Sequence, residues 1–174
     1  MTWFASGGGS GNEVIIDGVP YGGDKIQLQT DDIVLNKSVS TLPYDFYQGS
    51  AVVYNNEIHI LGGLDSSNTY KYHYKYNGNR WTSVSTLPYR FYRGSAVVYN
   101  NEIHIMGSES SSYYTNHYKY NGSTWTSVST LPYSFYDGSA VVLNNEIHIM
   151  GSDYNSSTYK YHYSIEKLRY NLLQ

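Results

Sequence analysis

Cysteine is absent from this chain, which excludes disulfides, thiolate nucleophiles and cysteine-held metals together. Charge is scarce as well. Only 14% of the residues are charged and the formal net charge is −3, so no basic stripe exists to neutralise phosphates, and nucleic acid is not an expected partner. Long apolar runs are missing too: nothing approaches the roughly 20 residues that span a bilayer, and membrane insertion is not expected. The start, MTWFASGGGSG, has neither the charged n-region nor the apolar core of a signal peptide.

What is abundant is tyrosine, 22 of 174 residues, and it is distributed by a repeat. SVSTLPY, an aromatic pair, GSAVV, NNEIHI and a glycine recur about every 45 residues, marked by Leu42, Leu87 and Leu131 and again by His59, His104 and His148. A unit of this size cannot bury its own apolar face and must stack on its copies. Within the second copy, Gly94 to Tyr99 is short, β-branched and apolar, and Asn100-Asn101 supplies a turn tolerant of positive φ. Glu102 to Met106 makes a second strand, Tyr114 to Tyr120 a third, Asn121-Gly122 a hairpin turn, and Trp125 to Ser129 a fourth. Four antiparallel strands per copy, with no helical period in the repeats, describe an all-β protein of β-propeller blades.

GSAVVYNNEIHILGG followed by YKYNGNRW and then LP (Gly49 to Pro88) resembles a kelch repeat, in its glycine pair, its spaced tyrosine and tryptophan and the short hairpin between them. The resemblance spans roughly residues 36 to 163. It loosens where Gly62-Gly63 becomes Gly107-Ser108 and Gly151-Ser152, and this departure bears on close backbone packing after the second strand.

Strand counting carries the reading from fold to assembly. The third copy has strands at Ser139 to Val142, Glu146 to Met150 and Tyr159 to Tyr163, then runs into IEKLRYNLLQ with neither the turn nor WTSVS. At the other end, Lys37 to Pro43 reads as a fourth strand with no first three before it. Three blades fall short of the usual 4 to 8. The expectation is therefore a homodimer with a six-bladed ring, in which residues 37–43 of each subunit complete the last blade of the other. A piece of a longer protein, or an open stack capped by the tail Ile165 to Gln174 with Tyr170 at the tryptophan offset, are the alternatives.

Residues 1–35 lie outside the repeat, which occupies 36–174. They read as a Gly-rich leader and a hairpin in EVIIDGVPYGGDKIQLQ, with turns at Asp17-Gly18 and Gly22-Gly23, able to dock the chain to a larger particle. A Gly-rich opening followed by VIIDGVPY also resembles the start of bacteriophage tail and baseplate proteins. That resemblance implies a virion or extracellular-surface setting; a cytoplasmic one is the alternative.

A four-stranded meander puts the 1–2 and 3–4 turns on one rim and the longer 4–1 and 2–3 connections on the other. The second rim is where the copies differ. Its aromatic frame recurs as Tyr44, Phe46, Tyr47; Tyr89, Phe91, Tyr92; and Tyr133, Phe135, Tyr136, with Asp45, Arg90 and Ser134, then Gln48, Arg93 and Asp137, varying between. The phenylalanines are expected to pack between blades. The tyrosines and the variable polar residues form the candidate ligand surface, together with one acid per 2–3 connection, Asp65, Glu109 and Asp153.

Histidines 59, 104 and 148 recur because the unit recurs, so packing or ordinary hydrogen bonding explains them better than a metal. Histidines 73, 117 and 162 lie among lysines and are expected in solvent. No calcium-loop motif, paired carboxylates, nucleophile elbow or phosphate loop is present, so no metal, cofactor or catalytic residue is assigned. The tyrosine–cysteine cofactor of kelch-like oxidases cannot form without cysteine. The function expected is a non-enzymatic module recognising a cell-surface glycan or protein, as in a tail receptor-binding or accessory protein. The alternatives are a structural adaptor and a sugar-epimerase or mutarotase-like enzyme.

Overall fold

The computed structural model describes residues 14–16, 19–21, 38–65, 68–109, 112, 114–153 and 158–165. The chain divides into two compact units, Met1–Val39 and Ser40–Gln174. In the first, β1 (Val14–Ile16) pairs antiparallel with β2 (Val19–Tyr21), and Ile16 opposite Val19 leaves only Asp17-Gly18 between them, the hairpin the sequence signals. Gly22-Gly23 lies outside the described residues.

The second unit is all-β and blade-like. β3 (Ser50–Tyr54), β4 (Glu57–Leu61), β5 (His73–Tyr76) and β6 (Trp81–Ser83) form one four-stranded antiparallel meander; β7 (Ser95–Tyr99), β8 (Glu102–Met106), β9 (His117–Tyr120) and β10 (Trp125–Ser127) form the next. β11 (Ser139–Leu143), β12 (Glu146–Met150) and β13 (His162–Ile165) form a third sheet of three strands. The fourth strand that the sequence withholds is absent among the described residues, and the tail beyond Ile165 lies outside them.

Each Asn-Asn pair turns its hairpin with both residues at positive φ: Asn55 and Asn56 at 51° and 61°, Asn100 and Asn101 at 49° and 57°, Asn144 and Asn145 at 49° and 62°. Asparagine is enriched there because it tolerates the left-handed region better than any other side chain except none at all. Across the strands, Lys75 pairs with Glu57 at 2.8 Å and Lys119 with Glu102 at 2.9 Å. Ser164 stands where the third such lysine would be.

The third strands are shorter than the tyrosine alternation suggests, and the reason is backbone competition. Thr115 and Tyr114 give their carbonyls to Leu131 and Phe135 of the next connection, at 2.9 Å each, instead of to the ladder. In the third copy a 3-10 turn (Thr158–Lys160) occupies the expected start of the strand. Residues 38–43 form no strand either. Their counterparts after β6 are held by the preceding sheet, Val84 N–H by the His73 carbonyl and Leu87 N–H by that of Lys71, and among the described residues no four-stranded meander precedes the first copy. Lys37 is outside the described residues.

The core lies between sheets. One cluster joins Tyr54 and Leu61 of the first to Leu87, Tyr89, Phe91, Ile103, Ile105 and Tyr120. A second joins Val97, Tyr99 and Met106 to Leu131, Tyr133, Phe135, Ile147 and Ile149. Phe91 and Phe135 are fully buried, as an interblade role requires. Gly62 and Gly107 permit this stacking: a Cβ on either would stand 1.8 Å from the carbonyl oxygen of Phe91 or Phe135 in the next sheet.

Candidate functional site

The rim is built by pairing each 2–3 connection with the 4–1 connection of its own sheet. Leu64 N–H donates to the Tyr47 carbonyl at 2.8 Å, Glu109 N–H to Tyr92 at 3.1 Å and Asp153 N–H to Tyr136 at 2.9 Å. Where the glycine pair becomes Gly-Ser, the hydroxyl takes over part of this work. Ser108 Oγ reaches the Arg90 and Tyr92 carbonyls at 3.1 Å each, and Ser152 Oγ reaches Ser134 at 2.7 Å. The departure from Gly-Gly thus adds a side-chain strut within the sheet, while Gly107 keeps the close approach to the next one.

The aromatic frame divides by depth. Tyr44, Tyr89 and Tyr133 point inward, each donating its hydroxyl to a glycine carbonyl: Gly62 at 2.7 Å, Gly107 at 2.9 Å, Gly151 at 3.0 Å. Tyr89 and Tyr133 are buried, so a ligand on the rim meets neither ring directly. Burial raises the hydroxyl pKa of all three, Tyr133 to about 12. Tyr47, Tyr92 and Tyr136 sit nearer the surface, Tyr47 being 61% exposed. Asp45 and Arg90 are exposed.

Arg93 gathers three acids. It bonds Glu109 of its own sheet at 2.5 Å and Asp137 of the next, lies 3.9 Å from Asp153, and stands over the Tyr136 ring at 5.4 Å. Tyr136 in turn stacks on Tyr114 at 5.4 Å and donates to the Asp153 carbonyl at 2.7 Å. Its hydrogen bonds to Asp137 and Glu109 hold the guanidinium still more firmly protonated than usual. Arg93 is therefore a clamp between sheets rather than a free cation. Among the described residues no group of three His, Cys, Asp or Glu is placed to hold a metal.

A cleft of about 310 Å³ opens on the rim between the first and second sheets, lined by Leu64, Asp65, Asn68, Thr69, Arg90 and Tyr92. Leu64 occupies the position that Glu109 and Asp153 hold in the other copies, so Asp65, one residue further, reaches the cleft. Its carboxylate accepts from Asn68 N–H at 2.8 Å and from the Tyr70 hydroxyl, which raises the Tyr70 pKa to about 12. The structure thus brings Asp65, Arg90 and Tyr92 together, and Arg93, Glu109, Asp137 and Asp153 in a neighbouring group. Asn68, Thr69 and Tyr70 escaped sequence reasoning, because the 2–3 connections differ in length and offer no register.

The histidines divide differently from expectation. His59, His104 and His148 are structural, each facing the histidine of the adjacent strand: Nδ1 to Nε2 distances are 2.7 Å to His73, 2.8 Å to His117 and 3.1 Å to His162. His73 and His117 are buried, not solvated, because strand pairing sets them on the interblade face; only His162 is exposed.

Meanders stacked through their faces, with a variable rim, define a protein of the β-propeller class. Similar in fold is the solved structure of YjhT, a kelch-type β-propeller protein, at 19% identity and a TM-score of 0.57 over 66% of this chain and 36% of that one. This chain therefore spans little more than a third of YjhT. No protein-family model matches the chain, and a sequence search of curated proteins finds no match.

Proposed function

We propose that this chain is a non-enzymatic binding module whose rim cleft takes a sugar of a surface glycan. The observation that carries it is the composition of the cleft: an apolar wall of Leu64 and Tyr92 faces Asp65, Asn68, Thr69 and the exposed Arg90. Sugars present CH faces to aromatic and aliphatic walls and hydroxyls to carboxylate, amide and guanidinium groups, and a volume near 310 Å³ suits one ring rather than a long chain. The setting proposed with it is a virion or cell surface, the reading that the Gly-rich opening and VIIDGVPY support. Residues 1–35 are proposed as the attachment segment.

Glycan-array binding followed by calorimetry tests the site. Arg90→Ala and Tyr92→Ala should each weaken binding about tenfold or more, since either removes one of the few directional contacts. Tyr92→Phe should retain most of the affinity, because the ring, not the hydroxyl, faces the sugar. Undiminished binding by Arg90→Ala and Tyr92→Ala would discard this cleft.

A further inference from the structure

The blade stack ends in two faces that repeat the two halves of its own interior. Between sheets, Tyr54 packs with Leu87 and Ile103, and Tyr99 packs with Leu131 and Ile147. The outer face of the third sheet carries Val141 and Leu143 at the positions of Val97 and Tyr99, yet they are 47% and 56% exposed, against 7% and 8%. The outer face of the first sheet carries Leu42 and Ile58 at the positions of Leu87 and Ile103, and these are 46% and 43% exposed, against 1% and 0%. One face thus supplies the knob and the other the bed of the same cluster.

Two further features stop at these faces, and a third marks the inner seam beside the three-stranded sheet. Gly151 keeps the positive φ of Gly62 and Gly107, 68°, but where their missing Cβ would strike the next sheet's phenylalanine carbonyl, that of Gly151 meets nothing nearer than the Tyr159 carbonyl at 3.7 Å. Along the rim, Arg93 N–H donates to the Gln48 carbonyl at 2.8 Å and Asp137 N–H to that of Arg93 at 2.7 Å, all three at positive φ; among the described residues this backbone ladder continues past neither end. Finally, His73 is covered by the Trp125 ring of the following sheet at 5.6 Å. Its counterpart His117 instead borders a cleft of about 260 Å³ with Tyr99, His104, Ile147 and Ile165, beside the third sheet, which has three strands among the described residues.

We infer that the occupant of each end face is a second copy of this chain: the third sheet of one copy packs on the first sheet of the other, and two such seams close a ring of six sheets, three from each copy. At each seam Leu42 of the second copy covers Leu143, its Phe46 carbonyl comes to Gly151, and its Gln48 N–H continues the ladder from Asp137. The continuity with the two seams inside the chain selects this occupant, since an unrelated partner would have no reason to match all three. The ring also presents the rim cleft twice, so a clustered glycan is held by linked sites.

Light scattering on the full chain should give twice the mass of 19.8 kDa. Leu143→Arg and Leu42→Glu, both exposed within one chain, should each give a single-chain mass with unchanged circular dichroism. Mixed together, the two variants should recover the doubled mass, because one seam is then wild type and the other pairs Arg with Glu. Val141→Glu mixed with Leu42→Arg repeats the test should Leu143→Arg fold poorly. A wild-type monomer or trimer, dimers that survive both single substitutions, or mixtures that stay single would overturn the inference.

Discussion

At Arg93 one guanidinium serves carboxylates from two successive sheets, with Glu109 on one side and Asp137 and Asp153 on the other. An isolated exposed ion pair is worth little, but here removing the cation leaves three acids facing one another. Arg93→Ala is expected to cost about 1–2 kcal/mol in urea unfolding, with a smaller loss in 1 M salt where the repulsion is screened. The histidine pairs give the molecule a second residue-scale property. Burial, the main cause in each case, lowers His73 to about 3 and His104 and His117 to about 4. An unfolded histidine titrates near 6.5, so below that pH the unfolded chain binds more protons than the folded one. The stability these pairs contribute is complete above pH ~6.5 and is lost as pH falls towards 4. Thermal unfolding at pH 5 should lie several degrees below that at pH 7, and His73→Gln with His117→Gln should flatten the difference.

Elements were legible where chemistry is local. Asn-Asn turns, the EIHIM strands and the pairing of Ile16 with Val19 need only neighbouring residues, and the structure keeps them where the sequence puts them. The third strands begin later than a tyrosine alternation implies, since the carbonyls of Tyr70 and Tyr114 are taken by the next connection at 3.2 and 2.9 Å. His73 and His117 are buried for a similar reason: neighbouring lysines indicate exposure along the strand, but stacking decides which face is covered. The glycines after the second strands illustrate the same dependence on a neighbour. Gly107→Ala is expected to cost at least about 2 kcal/mol, because the added methyl meets backbone rather than a movable side chain. Chemical denaturation of that variant beside Gly78→Ala, where a Cβ would meet nothing within 4 Å, separates the clash from the strain of positive φ.

For the whole molecule, nearest-neighbour stacking makes stability uneven. The middle sheet is covered on both sides, with Ile103, Ile105 and Met106 fully buried, while β11 leaves Val141 and Leu143 open. Amide hydrogen exchange should be slowest in β8 and faster in β11 in dilute solution. Raising the concentration should slow β11 selectively if the ring closes, since association protects the end faces alone.

Taken by itself, the chain determined its period, its strand order, its hairpin turns and the absence of cysteine chemistry, all of which depend on residues close in sequence. Only the tertiary structure decided which tyrosines are struts and which reach the cleft, and that Arg93 is paired with acids of two sheets while Arg90 is exposed. Those outcomes turn on which sheet lies against which connection. A repeated sequence writes the same residue into every copy, but burial and charge pairing depend on the neighbour, and among the described residues the first and last sheets are packed on one face while the middle sheet is packed on both.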